Sequence, residues 1–310
     1  MITVPDPYNP GMVAKVIDGN ALARQVRAEY RERVDKLLAR GIRPGLAVIL
    51  VGGNPASQVY VSRKTHACEE VGIHSEVHRF PADASESEVL DRIRALNDDA
   101  HIHGILVQLP LPPGYRLRDI LEAISREKDV DGFHLYNVGS LIVGDTVFPP
   151  CTPFGVQRML ESEKIPIEGQ NVVVVGASNI VGKPMAMMLM QREATVAICH
   201  AKTRDLAQFT ILADILIVAA GHPKLVTAPM VKTGAVVIDV GINRLPDGTL
   251  VGDVDFENVA KKASYITKVP GGVGPMTVTM LLGNTVHAAE MAAAGAQGRK
   301  AEMQMTTKSR

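Results

Sequence analysis

Five short runs, apolar nearly throughout, recur at 46–51, 104–109, 172–175, 215–219 and 235–240 of a 310-residue chain. Such runs suit strands covered on both faces. The stretches between them carry apolar residues at helical spacing, and that alternation yields a mostly parallel sheet with helices on its two faces. An α/β fold follows. The length allows about two domains, and Pro149, Pro150 and Pro153 mark the preferred boundary between them.

In the first half, Leu22, Val26, Tyr30, Val34, Leu37 and Leu38 form the stripe of an amphipathic helix over 19–41, preceded by a Pro-rich leader expected to lie loosely on the surface. The strand at 46–51 runs into a helix over 54–71 that places Ala56, Tyr60, Ala67, Cys68 and Val71 on one arc, opposite Gln58, Ser62, Thr65 and Glu69. Lys64 falls within the apolar arc, one turn after Tyr60. A lysine so placed snorkels to solvent, finds a partner or faces a pocket. A strand at 74–80 follows, then a helix over 85–97 with Val89, Ile93 and Leu96 at helical spacing and a capping box from Ser85 and Glu88. The strand at 104–109 carries Gln108 at its C-terminal end, where ligands sit in open parallel sheets. A short helix is expected over 120–124. After it, KDVDGFH sets Asp129 and Asp131 before Gly132, and an Asx turn is the plain reading of that pair.

The second half changes rhythm. A helix near 154–160 precedes the strand at 172–175, which runs into GASNIVGKP and a helix over 185–190. Strand, Gly-rich turn and helix are the parts of a dinucleotide site, where backbone N–H groups and a helix N-terminus meet a pyrophosphate. Gly176, Ser178 and Gly182 stand in place of the three usual glycines, so the turn taken alone is a weak signal. Strands at 195–199, 215–219 and 235–240, with a helix over 205–213, continue the pattern of a Rossmann-type sheet. NAD-selective sites often place an acidic residue at the end of the second strand; here that position reads HAKTR, with Lys202 and Arg204. Cations there suit a 2′-phosphate, so NADP is expected over NAD. Residues 268–277, KVPGGVGPMT, hold three glycines and two prolines, which let backbone approach a ligand closely. A last helix over 277–294 carries Val278, Leu281, Leu282, Val286 and Ala289. The tail from 297 is polar enough to be disordered.

Composition narrows the function classes. Lys plus Arg equals Asp plus Glu, 33 against 33, so there is no general pull on nucleic acid or an anionic membrane. Hydrophobic residues make up 46%, yet no apolar run reaches the ~18 residues of a membrane span. The N-terminus lacks the basic-then-apolar layout of a signal peptide, and a cytoplasmic location is expected. Cys68, Cys151 and Cys199 lie far apart and form neither a disulfide framework nor a zinc knuckle. His101 and His103 could share one side of a strand as metal ligands, but no HExxH motif accompanies them, and no metal site is expected.

Taken in order over residues 15–290, the motifs VGGNPASQVYVSRK, GILVQLPLP, KDVDGFH, PPCTPFGV, VVGASNIVGKP, VIDVGINR, GDVDF and VPGGVGPMTV resemble the bifunctional methylenetetrahydrofolate dehydrogenase/methenyltetrahydrofolate cyclohydrolase family. That resemblance implies a two-domain α/β protein: an N-terminal folate and catalytic domain over 1–150, completed by the C-terminal helix 278–296, a Rossmann NADP-binding domain over 151–277, and a cleft between them. It also implies a homodimer through the second domain. The activities implied are NADP-dependent oxidation of 5,10-methylenetetrahydrofolate to the methenyl cation, then hydrolysis to 10-formyltetrahydrofolate. By the same resemblance Tyr60 stacks on the aminobenzoyl ring of the folate, Lys64 serves the chemistry, Gln108 hydrogen-bonds the lysine, and Asp131 holds the pterin with Asp129 a weaker neighbour. Pro270, Gly271, Gly272 and Gly274 match the loop lining folate and nicotinamide. Gly176, Ala177, Ser178, Ile180, Val181, Gly182, Lys202, Arg204, Gly241 and Ile242 match the cofactor site.

The sequence departs from many members at two places, with Ala177 where they carry arginine and Ala201 where they carry serine. Lys202, Arg204 and Lys183 are left to bind the phosphate. Two other readings stay open. A two-domain oxidoreductase of the shikimate dehydrogenase type also pairs a Lys and an Asp with a Rossmann domain, although the PGGVGP loop favours folate. A folate- or dinucleotide-binding protein without catalysis is the other, against which stand Lys64, Gln108 and Asp131 together.

Overall fold

The computed structural model describes the backbone of residues 13–308 and side chains as far as residue 295; the leader over 1–12 and the final two residues lie outside the described residues. In chain order the first half contains β1 (Lys15–Ile17), α1 (Gly19–Leu38), β2 (Gly45–Val51), α2 (Pro55–Val71), β3 (His74–Phe80), α3 (Glu86–Asp98), β4 (Gly104–Val107), α4 (Leu117–Glu122) and α5 (Leu135–Val143). The second contains α6 (Cys151–Ser162), β5 (Asn171–Val175), α7 (Gly182–Met190), β6 (Thr195–Cys199), α8 (Ala207–Thr210), β7 (Ile215–Val218), β8 (Val236–Asp239), β9 (Asn243–Arg244), β10 (Leu250–Val251), α9 (Phe256–Val259), β11 (Tyr265–Thr267) and α10 (Val273–Lys308). Contacts divide the chain into two units.

One unit comprises Gln25–Ser140, Thr146–Pro149 and the chain from Val278 on. Its sheet is parallel, in the order β3-β2-β4. All seven residues of β2 are buried, as the unbroken run GLAVILV requires of a central strand. Ala47, Ile49 and Val51 pack with Ile105 and Val107 against Val89, Ile93 and Leu96 of α3. Phe80 joins that face, while Ser75 on the other face of β3 meets Cys68 of α2. The capping box of α3 forms as expected, with Ser85 Oγ accepting the Glu88 N–H at 3.3 Å and the Glu88 carboxylate accepting the Ser85 N–H at 2.7 Å. From α10, Leu281, Leu282, Val286 and Ala289 are buried. Gly283 lets α10 approach α1: a Cβ there would lie 2.4 Å from the Tyr30 hydroxyl.

The other unit comprises the described residues up to Arg24, Leu141–Asp145 and Pro150–Thr277. Six parallel strands run in the order β1-β11-β8-β7-β5-β6. Val173, Val175, Leu216, Val218, Val237 and Ile266 supply its core together with Val254 and Val259. β1 and β11 were not anticipated. Each has three residues, too few for a periodic signal, and they stabilise one another by pairing Lys15 to Tyr265 and Ile17 to Thr267. The residues around β1 therefore group with the six-stranded sheet rather than with the rest of the first 150 residues.

Other boundaries moved for local reasons. α7 begins at Gly182 instead of 185, and the helix expected over 205–213 shrinks to α8. α5 escaped notice because Leu135, Tyr136, Ile142 and Val143 are exposed, which blurs any apolar stripe. α10 starts within the PGGVGP segment, and its backbone remains helical to Lys308, past the point where a disordered tail was expected. Among the described residues no helix is long and apolar enough to cross a membrane.

Candidate functional site

α2 forms where it does because both ends are fixed. The Asn54 side chain accepts the N–H groups of Ala56 at 2.9 Å and Ser57 at 3.3 Å, Pro55 occupies the first turn, and Gly72 closes the helix at φ +86°. Its buried residues are Ser57, Val61, Ala67, Cys68 and Val71. The arc is thus rotated from the expected one: Ala56 is exposed and Tyr60 is half-buried at its margin. Lys64 sits in the seam between Val61 and Cys68, half-buried, and its Nζ donates to Gln108 Oε1 at 3.1 Å. Of the fates open to a lysine in an apolar arc, this one has found a partner.

Gln108 is presented by the end of β4. Its N–H continues the ladder to Ile49 O at 2.9 Å, and its Nε2 donates to Leu109 O at 2.7 Å, which turns Oε1 toward Lys64. Burial pushes the Tyr60 phenol up. Burial also pushes the Cys68 thiol up to about 12, leaving it an inert core group beside the lysine.

The two aspartates of KDVDGFH part company. Asp129 is 1% exposed, and its Oδ2 accepts from the His134 N–H and from Asn137 Nδ2, both at 2.8 Å. Burial raises its pKa against those hydrogen bonds. It is the internal acceptor of its own loop and not a second ligand-facing acid. Asp131 is half-buried. The residue between them is pinned: Asn284 of α10 donates to Val130 O at 2.8 Å, and Gly104 leaves room for the Val130 side chain, which a Cβ would meet at 2.8 Å. Asn284 had no sequence signal beyond being a polar residue in an apolar helix. His103 is likewise used by the fold, its Nδ1 accepting the Gly45 N–H at 3.1 Å.

In the six-stranded sheet the chain passes from β5 to β6 on one side and returns to β7 on the other, so the carboxyl ends of β5 and β7 flank the switch point where ligands bind in open α/β sheets. The glycine turn leaves β5 there. Gly176 has φ +125°, and a Cβ on it would stand 2.1 Å from Ala219 O; a Cβ on Gly182 would stand 1.9 Å from Gly176 O. Neither position tolerates a side chain. Ser178 Oγ accepts the N–H groups of Val181 at 3.1 Å and Gly182 at 3.4 Å, Ala177 and Val181 are half-buried, and Ile180 is exposed. Lys202 and Arg204 are exposed on the turn after β6, in no ion pair among the described residues. Lys183 is turned to Asn179 Oδ1 at 2.8 Å, and Asp205 to the Ala207 N–H at 3.1 Å. A tight glycine turn with two uncommitted cations beyond the second strand fits a dinucleotide bearing a 2′-phosphate.

The loop at 268–272 is set by close backbone packing. A Cβ on Gly19, at the start of α1, would lie 1.8 Å from Gly272 O, and one on Gly271 would lie 2.8 Å from Asn20 Nδ2. Asp18 Oδ1 accepts the N–H groups of Asn20 and Ala21 and so holds that helix end. A Cβ on Gly274 would rest 3.7 Å from Ile242 Cδ1.

Two residues of this unit were missed. Asp253 is fully buried; its Oδ2 accepts from Ala220 at 2.6 Å and Gly221 at 2.8 Å, and its Oδ1 from His222 at 2.9 Å and Asn243 Nδ2 at 2.8 Å. Asp239, 3% exposed, accepts the N–H groups of Gly241, Asp253 and Val254 at 2.9 to 3.0 Å. The signal was there to read: each is an acid inside a short apolar motif, VIDVG and GDVDF, where an unpaired charge could not be buried.

Residues 17–131 match the catalytic domain of the tetrahydrofolate dehydrogenase/cyclohydrolase family, and residues 150–293 match its NAD(P)-binding domain. A curated relative named bifunctional protein FolD, from Nitrosospira multiformis, is 63% identical over 93% of this chain and 100% of its own. A protein of the same name from Cupriavidus necator is 61% identical over 91% and 100%. Among solved structures, the bifunctional FolD methylenetetrahydrofolate dehydrogenase/cyclohydrolase of Campylobacter jejuni is 54% identical with a TM-score of 0.88, covering 89% of this chain and 99% of that one. The Trypanosoma brucei methylenetetrahydrofolate dehydrogenase-cyclohydrolase, solved with NADP cofactor and an inhibitor, is 39% identical with a TM-score of 0.88 over 91% and 99%.

The buried acid at the end of β8 makes a pH prediction. Burial outweighs its hydrogen bonds and lifts Asp239 from 3.8 to about 6. The folded chain holds that proton more tightly than the unfolded one, so this group's contribution to stability falls as pH rises through that window, by ~3 kcal/mol, and stays lost above it. Asp239→Asn is therefore expected to cost more stability near pH 4 than near pH 7, the gap being ~2 kcal/mol because part of the effect is already lost at pH 4. Thermal unfolding of both proteins across that range checks it; a pH-independent difference would remove Asp239 from the account.

Proposed function

The chain belongs to the tetrahydrofolate dehydrogenase/cyclohydrolase family, and from that we propose how its residues serve the two activities. It is a bifunctional enzyme that oxidises 5,10-methylenetetrahydrofolate to 5,10-methenyltetrahydrofolate with NADP and hydrolyses the product to 10-formyltetrahydrofolate. The observation that carries the division of roles is the 3.1 Å hydrogen bond from Lys64 to Gln108.

NADP, when bound, accepts the hydride. Gly176, Ala177, Ser178, Ile180, Val181 and Gly182 would receive its pyrophosphate, Lys202 and Arg204 its 2′-phosphate, and Gly241 and Ile242 complete the site. The donor carbon lies between two nitrogens that stabilise the cation left behind, so the chain's task in this step is to position the reactants and exclude competing ones. The loop of Pro270, Gly271, Gly272 and Gly274 suits that task, because backbone without side chains can approach a ligand closely.

Hydrolysis asks more of the side chains. Water adds to the electron-poor methenyl carbon and gives up a proton to the Lys64 amine. As the C–N bond to the pterin nitrogen breaks and the formyl C=O forms, Lys64 returns that proton to the departing nitrogen, and the hydroxyl proton goes to solvent. Gln108 fixes the direction of the amine. Tyr60, one turn earlier, presents a half-buried ring on which the aminobenzoyl group can stack, and Asp131 accepts from the donor edge of the pterin. Identities of 58% and above to relatives named as bifunctional weigh against the non-catalytic and shikimate-type alternatives. Water-soluble reactants suit a cytoplasmic enzyme.

A homodimer through the dinucleotide unit is supported by β6, the edge strand of its sheet, where Ile198 is exposed, as are Met190 and Leu212 of the same unit. An open apolar edge is a template for a second copy.

Three outcomes are expected. Lys64→Met should lower the cyclohydrolase rate by ~10²- to 10⁴-fold, the usual worth of a positioned proton carrier, while folate binding stays within a few-fold. Normal conversion of methenyl to formyl species would sink that assignment. Arg204→Ala should lower the ratio of NADP to NAD specificity by about tenfold or more, as expected for one charge-assisted bond to phosphate; an unchanged ratio clears Arg204 of the role. Ile198→Glu should shift the protein from dimer to monomer in sedimentation equilibrium at micromolar concentration, and a variant that stays dimeric argues for another interface.

A further inference from the structure

The turns after β7 and β8 meet at one buried carboxylate. Three successive backbone N–H groups, those of Ala220, Gly221 and His222, point at Asp253, and Asn243 Nδ2 completes its shell. A Cβ on Gly241 would stand 2.2 Å from Asp253 Cγ, so the turn after β8 has also closed on this group. Its own backbone is held in turn, its N–H donating to Asp239 Oδ1 at 2.9 Å. Asp253 is fully buried and has no oxygen left facing outward.

What it holds borders the glycine turn on one side and the PGGVGP loop on the other. Gly176 fits against Ala219, the residue before Ala220, and Gly274 lies against Ile242, the residue after Gly241. The N–H groups of 220–222 lie beyond the reach of the strand ladder, which ends with Ala219 N–H on Val175 O. Without an acceptor they would be unsatisfied or would turn elsewhere, and the turn would move with them.

We propose that Asp253 is a positioning residue for the dinucleotide: by gathering the 220–222 and 241–243 turns it sets the backbone walls of the NADP site, and it takes no part in hydrolysis of the methenyl group. The assignment rests on the NADP-dependent reading above. The fold does not depend on the carboxylate alone, because Val226 N–H still bonds Asp253 O at 3.0 Å and Asp255 N–H bonds Val226 O at 2.9 Å.

Asp253→Asn tests it, since the carboxamide keeps the volume but turns an N–H₂ toward backbone donors. Parent and variant are compared by calorimetric titration with NADP, by amide exchange at Ala220, Gly221 and His222 in the cofactor-free chain, and by hydrolysis of methenyltetrahydrofolate without NADP. The expected result is NADP affinity weaker by about tenfold or more, as loss of charge-assisted bonds implies, faster exchange at those three amides, and hydrolysis within about twofold of the parent. Unchanged NADP affinity overturns the proposal, and so does a hydrolysis rate that falls in step with it. Should the variant fail to fold, Asn243→Ala removes one donor from the shell; a few-fold weaker NADP affinity with hydrolysis intact supports the proposal, and equal affinity overturns it. A parent that does not bind NADP overturns the underlying reading instead, and the proposal with it.

Discussion

Buried carboxylates turned on backbone N–H groups are what the loops of this protein depend on. A parallel sheet satisfies its own backbone only as far as the ladder runs; beyond the carboxyl ends of the strands, where ligands bind, the N–H groups need another acceptor. Asp239 and Asp253 supply it, and Asp129 does the same for the turn into α5, each of the three under 4% exposed. Burying a charge costs several kcal/mol, and several charge-assisted bonds to one carboxylate are what offset it. The balance is visible in Asp239, which three N–H groups do not prevent from rising to about 6.

The same logic separates acids that build the site from acids that can face a ligand. Asp129 and Asp131 are two residues apart and look alike in sequence, yet Asp129 is spent on His134 and Asn137, and that fixes the loop from which Asp131 projects. Lys64 is governed by a different element. Its direction comes from Gln108, whose carboxamide is oriented by the carbonyl of the next residue, so the lysine proposed as proton carrier, on a capped helix, is aimed by the end of a buried strand. Helix and strand ends are stiffer supports than loops, as a group that must meet a reacting atom requires.

Long periodic features were legible from the residues. The continuous run at β2, the stripe of α1 and the capping box of α3 each state one structure at several positions, and each formed. Elements of three or four residues, such as β1, β11 and α8, exist because a neighbour pairs with them or buries them, and a neighbour distant in sequence leaves no periodic trace. The arc of α2 was rotated because Ser57 and Val61 face inward: a serine spoils an apolar count without spoiling a buried face. For the site, Lys64 was legible as an oddity in an apolar arc, and Asp253 as an acid in an apolar motif that had to find donors. Which donors was not legible, because three of them are amides more than thirty residues earlier in the chain.

On the proposed division of roles, the two activities draw on different parts of the chain for a physical reason. Hydride transfer to a bound dinucleotide needs distance and direction, which backbone supplies; the candidate residues at that site are glycines, alanine and serine in turns where Gly176 and Gly182 admit no Cβ. Hydrolysis needs a proton held and returned, which only a titratable side chain can do. The first requirement is met by turns closed over buried carboxylates and the second by an amine aimed by an amide. A change in the Asp253 shell therefore acts on backbone geometry, and a change at Lys64 on proton transfer, although both reactions involve the same one-carbon unit.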